Sequence, residues 1–267
     1  MRTLDATETL ELIGNLLREN TLLSLVLKKV NSHKYIVGGY IRDYISNHQQ
    51  GRDVDIMVEI SRLELQTILD SEGVQYAMNH FGGFKFTDSI SVDIWSIHDN
   101  WAFRTGLVKA SKKHMKRAIS RGCFYNYDAL VMDIDDGSYE IGPYESFLRT
   151  RNLDILQSDI NYRKDNPTAL ANVIRALWIK SQYYCSFSDK LERYIDYVLQ
   201  EYGQNRARYQ MLLNEIGQTY VKYSASKEVW ETIINYCEGK FGGIDSDGQL
   251  QFSIPEHFCQ EKIEFVF

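Results

Sequence analysis

The chain has 267 residues, of which 44% are hydrophobic and 25% charged, with a formal net charge of −6; that is an ordinary globular composition with room for one large domain or two modest ones. No run approaches the ~18 apolar residues that a membrane span requires, and the acidic balance argues against a general nucleic-acid coat protein while leaving room for a local basic surface. The start, Met1-Arg2-Thr3-Leu4-Asp5, does not read as a signal peptide, and Cys123, Cys185, Cys237 and Cys259 have no C-x-x-C spacing, as expected of reduced thiols in a cytoplasmic protein.

In chain order, residues 6–30 read as one or two amphipathic helices, with Leu10, Leu12, Ile13, Leu16 and Leu17 near helical spacing. Tyr35 to Val37 is a short apolar strand that ends at Gly38-Gly39, and Tyr40 to Asn47 reads as helix, with Asn47 and Gly51 as stop signals. Asp53 to Ile60 alternates: Val54, Ile56, Val58 and Ile60 point one way, Asp53, Asp55, Met57 and Glu59 the other. Ser61 caps an expected helix through Leu69. Two more strands are expected at Phe84–Thr87 and Ser91–Ile97, then a basic helix over Lys109–Arg121. A hairpin follows, Tyr127–Asp133 and Ser138–Ile141, across Asp135-Asp136-Gly137. From about Ser146 the pattern turns helical, over 166–186, 188–202, 204–217 and 226–238. A strand-rich first half and a helix-rich second half predict an α+β head with a mixed sheet, followed by a helical domain.

Strand residues i and i+2 share a face, so Asp53 and Asp55 can converge on one metal, and Asp93 leaves the apolar side of its own strand. Carboxylate oxygens of this kind suit Mg²⁺, with Mn²⁺ as a substitute, because Mg²⁺ takes one or two carboxylates together with substrate phosphates. D-x-D alone is also what a solvent-facing strand displays, and Gly-Gly alone is also an ordinary turn. Their conjunction is the informative feature. Glycine at a strand-to-helix turn lets phosphate approach the backbone N–H groups of the helix start.

Val37-Gly38-Gly39-Tyr40-Ile41-Arg42-Asp43 through Asp53-Val54-Asp55 resembles the head-domain signature of bacterial poly(A) polymerases and the related CCA-adding tRNA nucleotidyltransferases, of the polymerase β nucleotidyltransferase superfamily. Phe81-Gly82-Gly83 with Val92-Asp93-Ile94 looks like the family's F-G-T and third acidic strand. Asp128-Ala129-Leu130, Asp135-Asp136-Gly137 and Gly142-Pro143-Tyr144 look like the end of the head. Asn166-Pro167 and Arg175-Ala176-Leu177 resemble the neck helix. The resemblance covers residues 30–180 and implies metal-dependent transfer of a nucleoside monophosphate from an NTP to an acceptor, an RNA 3′ end such as that of tRNA, with pyrophosphate released. It implies Asp53, Asp55 and Asp93 as the catalytic set, with Asp53 and Asp55 on the metal. Gly38, Gly39, Arg42, Asp43, Asp128, Asn166 and Arg175 are implied around the nucleotide. There are two departures. Where members read R-R-D-F, the chain has Arg121-Gly122-Cys123-Phe124-Tyr125-Asn126-Tyr127. Where members read E-D-x-x-R, it has Asp165-Asn166-Pro167-Thr168-Ala169. Without the bidentate arginine, base discrimination weakens, and CCA synthesis itself is not carried over.

Lys109, Lys112, Lys113, Lys116, Arg117 and Arg121 stand together with no acid among them. They read either as a phosphate track for RNA or triphosphate or as a solvated helix face. Tyr183, Tyr184, Tyr194, Tyr197, Tyr202 and Tyr209 fit helix packing better than base stacking. No histidine pair has H-x-x-x-H spacing, so a zinc site is not expected. The expected organisation is an N-terminal helical segment 1–29, a nucleotidyltransferase head 30–150 and a helical neck 151–267. Two alternatives stay open: a toxin- or defence-type nucleotidyltransferase acting on a tRNA, protein or small molecule, and a non-catalytic nucleotide- or RNA-binding module.

Overall fold

The computed structural model describes residues 5–47, 51, 53–79, 82–157 and 168–200. It divides into two compact units: Met1–Thr150 with Ile155–Asp159, and Arg151–Asp154 with Ile160–Phe267. No helix of the described residues is long and apolar enough to cross a membrane.

The first unit opens with α1 (Ala6–Glu19) and α2 (Thr21–Lys29). Asp5 starts α1 through a capping box, its carboxylate accepting from Glu8 N at 2.8 Å while Glu8 Oε2 accepts from Asp5 N at 3.0 Å. Leu12, Ile13 and Leu16 form the buried stripe of α1, whereas Leu10 is 53% exposed. Then follow β1 (Lys34–Val37), α3 (Gly39–Asn47), β2 (Asp53–Val58), α4 (Arg62–Ser71), β3 (Ala77–Met78), β4 (Phe84–Thr87) and β5 (Ser91–Ser96). Ser61 caps α4 as expected, its Oγ accepting from Glu64 N. The unit continues with α5 (Trp101–Arg104), α6 (Met115–Gly122), β6 (Val131–Asp133), β7 (Tyr139–Glu140) and α7 (Gly142–Thr150).

Seven strands make one mixed sheet in the order β3-β4-β5-β2-β1-β6-β7. The β2–β5 pair is parallel and its neighbours are antiparallel. One face carries Ile36, Val54, Ile56, Val92 and Ile94, all fully buried; α3 packs on β1 and β2, and α4 on β5. The opposite face is only half covered. There Tyr35, Val37, Met57 and Val131 pack with Met115, Ala118 and Ile119 of α6. Met57 keeps the face that alternation assigned it, with Asp53 and Asp55, but is buried there, because a helix roofs that end of β2. Burying one such side chain is worth about 1.5–3 kcal/mol, which fixes α6 on this face.

Three expectations change. The basic helix begins at Met115, after a 3₁₀ turn at Lys112–His114, not at Lys109. Cations at a helix N-terminus oppose its dipole, and Val108 N is instead held by Ala102 O at 2.9 Å. The hairpin stands, with Val131↔Glu140 and Met132↔Tyr139 in register, but Asn126–Asp128 is a 3₁₀ turn rather than strand. The second half is not purely helical. Besides α8 (Ala169–Tyr183) and α9 (Asp189–Gln200), the second unit has a parallel pair, β8 (Asn152–Leu153) with β9 (Ser186–Phe187). Tyr184 takes the left-handed conformation that ends α8, φ 48°, and Ser188 Oγ accepts from Leu191 N at 3.1 Å where α9 begins. The helices expected at 204–217 and 226–238 lie outside the described residues.

Candidate active site

The strand-to-helix turn is set by Gly38. Its φ of +74° is left-handed, where a side chain costs about 1–2 kcal/mol. Gly38 N donates to Leu130 O at 2.8 Å, and Gly38 O accepts from Arg42 N at 3.2 Å, which makes Gly38 the residue from which α3 starts. The next amides, of Gly39, Tyr40 and Ile41, open the helix with no intrahelical acceptor and carry the positive end of its dipole. Val37 is the register partner of Asp55, so this turn lies at the Asp53–Asp55 end of β2.

The carboxylates follow from register. Asp55 pairs with Asp93 and Asp53 with Ser91 across the parallel β2–β5 ladder. Asp53, Asp55, Ser91 and Asp93 therefore share one face, the part of it that α6 leaves open, and all four are half-buried. Two further groups belong here that the sequence reading did not single out. Lys85 is the register partner of Asp93 on β4, and its Nζ lies 3.2 Å from Asp93 Oδ2. Alternation of Lys85 with the buried Phe84 and Phe86 was the available signal. Ser91 Oγ is buried without a hydrogen-bond partner, between Asp53 on the neighbouring strand and Asp93 two residues on. All donors are hard oxygens, which fits a divalent cation of the Mg²⁺ class in chemistry and in placement. With Asp93 turned to Lys85, the three aspartates are not drawn into one cluster of ligand atoms within 4.8 Å. Among the described residues that form such a cluster are His33, Asp133 and Asp135.

Arg42 braces the turn. Its guanidinium meets Asp128 Oδ1 at 3.0 Å and Asp43 Oδ1 at 3.3 Å, and lies 4.3 Å from the centroid of the Tyr127 ring. Planar Arg is suited to this combination of carboxylates and aromatic face. Tyr127 in turn packs edge-on against Phe147 of α7. Three residues implied near the nucleotide, Arg42, Asp43 and Asp128, thus form one ion-paired group tying α3 to the 126–128 turn. Arg175 lies on α8 in the second unit, and Asn166 lies outside the described residues.

The basic residues separate. Lys109, Lys113, Arg117 and Arg121 are exposed, whereas half-buried Lys116 bonds Ser138 Oγ. Lys112 falls in the 3₁₀ turn. Ser138 Oγ also donates to Asp136, which lowers the Asp136 carboxyl below its usual range. His33 is at the other end of β1 from Gly38, roughly 16 Å along the strand; its Nδ1 is 3.2 Å from Asp133 Oδ2. Tyr35 nearby donates to Glu59 Oε1 at 2.7 Å, and burial, then that bond, push its phenol far above the ordinary value. Of the tyrosines, Tyr194 is core, while Tyr184 and Tyr197 are exposed. Tyr202 and Tyr209 lie outside the described residues.

Known structures share this fold, a mixed sheet with a glycine turn beside acidic strands. A CCA-adding enzyme in complex with CTP superposes with a TM-score of 0.58 at 18% identity, over 91% of this chain and 54% of that one. A CCA-adding enzyme with ATP gives 0.57 at 17% identity, over 90% and 55%. The Thermotoga maritima CCA-adding enzyme complexed with tRNA gives 0.56 at 18% identity, over 90% and 55%. The chain thus spans about half the length of these enzymes. No protein-family model matches it, and no curated protein does.

Proposed function

We propose that this protein is a metal-dependent nucleotidyltransferase that moves a nucleoside monophosphate from an NTP to an acceptor hydroxyl, an RNA 3′ end of the tRNA type, and releases pyrophosphate. The observation that carries the reading is the β2–β5 register, which sets Asp55 beside Asp93, with Asp53 on the same face, next to the Gly38 turn. The fold shared with enzymes solved with CTP, ATP and tRNA supports it.

Asp53 and Asp55 would hold Mg²⁺ or Mn²⁺. A bound divalent ion supplies neutralisation of the phosphate oxygens and of the departing pyrophosphate. The helix-start amides at Gly39 receive the triphosphate, which glycine lets approach the backbone closely, and the Arg42–Asp43–Asp128 group keeps that turn in place. Asp93 accepts the acceptor hydroxyl's proton as its oxygen bonds the α-phosphorus and the bond to the bridging oxygen breaks. Lys85 holds one of the two Asp93 oxygens, Oδ2.

Asp53→Ala and Asp55→Ala should each abolish incorporation of labelled nucleotide while leaving the melting transition in place. Undiminished incorporation in both would defeat the mechanism. Running each labelled NTP with a whole-cell extract separates acceptors: label in RNA supports the reading, whereas label in protein or a small molecule replaces the acceptor and keeps the chemistry. Nucleotide binding without pyrophosphate release would leave a binding module.

A further inference from the structure

Away from the carboxylates, the first unit has a half-open cleft of about 720 Å³ between α6, the 107–111 segment and the bend at 156–157. That is within the size range of small-ligand sites, roughly 300–1,000 Å³. Its polar lining is one-signed: Lys109, His114, Arg117 and Arg121 contribute cations or a protonatable ring, and no acid is among the described residues that line it. Its apolar lining is Leu107, Val108, Pro143 and Leu156. The walls are tied down. Val108 N is held by Ala102 O, Leu156 N donates to Phe124 O at 3.0 Å, and Gln157 Nε2 donates to Arg121 O.

We propose that this cleft seats the acceptor as a single RNA strand, with successive phosphates on Arg117 and Arg121 and a nucleoside against the apolar wall. The assignment rests on the nucleotidyl-transfer reading above and adds where the acceptor lies. Two arguments favour a strand over a compact anion. Arg117 and Arg121 both line the cleft from α6, four residues apart, so their Cα atoms rise about 6 Å apart, a spacing suited to a repeating backbone charge. Single-strand sites combine such a cationic track with surfaces that take bases without reading them. The cleft and the reaction face also share a wall. Ala118 lines it and belongs to the same buried cluster as Val37, the register partner of Asp55. Lys116 is not part of the track, since it faces Ser138.

The test is fluorescence anisotropy with a short, unstructured, 5′-labelled oligoribonucleotide across a salt series, without NTP or metal. Compared with wild type, Arg117→Gln/Arg121→Gln should weaken binding and reduce the slope of log affinity against log salt by about 1.4, or 0.7 for each released phosphate. Arg18→Gln/Lys28→Gln changes net charge equally on exposed positions of α1 and α2 and should leave the slope alone. Melting curves establish that the variants fold. An unchanged slope in the cleft variant overturns the proposal. So does loss of NTP binding in the absence of RNA, because the cleft would then seat the substrate nucleotide. If RNA binding follows the cleft but the wild type never incorporates nucleotide, the catalytic reading fails and the strand site stands.

Discussion

Tyr40, fully buried in the first turn of α3, keeps its hydroxyl away from water with no hydrogen-bond partner. A buried hydroxyl left unmatched costs about 1–3 kcal/mol, so Tyr40→Phe, which retains the ring, should stabilise the protein by roughly 1 kcal/mol at neutral pH. The same burial, with Glu19 and Tyr44 adding repulsion, lifts the Tyr40 phenol to about 12. In the unfolded chain it titrates near 10. Below about pH 10 both states hold the proton and Tyr40 adds no pH dependence. Between about 10 and 12 the unfolded state ionises while the folded state does not, and stability falls as pH rises. Tyr40→Phe should flatten that alkaline loss without abolishing it, because Tyr35 is raised as well. Urea melts at pH 7 and along the alkaline limb measure both effects. A destabilised variant with an unchanged limb would show that the hydroxyl has a partner after all.

At the scale of elements, what was legible in the sequence was local. β2 announced itself because two-residue alternation is a property of one strand, and the β1–α3 turn did so because only glycine adopts φ +74° cheaply. Gly38→Ala should therefore cost about 1–2 kcal/mol and misdirect the opening amides of α3. The readout is NTP affinity falling together with stability, whereas Gly14→Ala, in α1 with open space at its Cβ position, should lower neither. Normal NTP affinity in a destabilised Gly38→Ala would separate the turn from the triphosphate. The α6 start was illegible by composition alone, since six cations read as one helix until its dipole is counted against them. The face of Met57 was legible but its burial was not, because its cover comes from Met115 and Ile119, far along the chain. Lys85 escaped notice for a similar reason: the β4–β5 register that sets it on Asp93 is a pairing of strands, not a property of either.

For the whole molecule, the alternation of elements implied an α+β head, but the order β3-β4-β5-β2-β1-β6-β7 and the β8–β9 pair rest on partners that no local pattern names. The same non-local register decides where an ion would bind, and two places compete: the Asp53–Asp55–Asp93 face, and the converging His33, Asp133 and Asp135 at the hairpin end. Lys34 Nζ already sits 2.8 Å from Asp135 Oδ1, and Asp133 Oδ1 already accepts from Asp135 N at 2.8 Å, so the hairpin cluster has internal uses for its oxygens. Asp53 and Asp55, two like charges on one face, gain more from a cation. A ligand that binds only the folded state stabilises it by about 2.7 kcal/mol at a hundredfold excess over its Kd. Mn²⁺ or Mg²⁺ should accordingly raise the melting temperature of the wild type over that in chelator. Asp53→Asn and Asp55→Asn should each lose most of that rise while melting no lower than wild type in chelator, because the substitution relieves repulsion. His33→Ala should keep the rise. The reverse pattern, a rise that survives in both aspartate variants and vanishes in His33→Ala, would move the ion to the hairpin and leave the β2–β5 carboxylates without the role assigned to them.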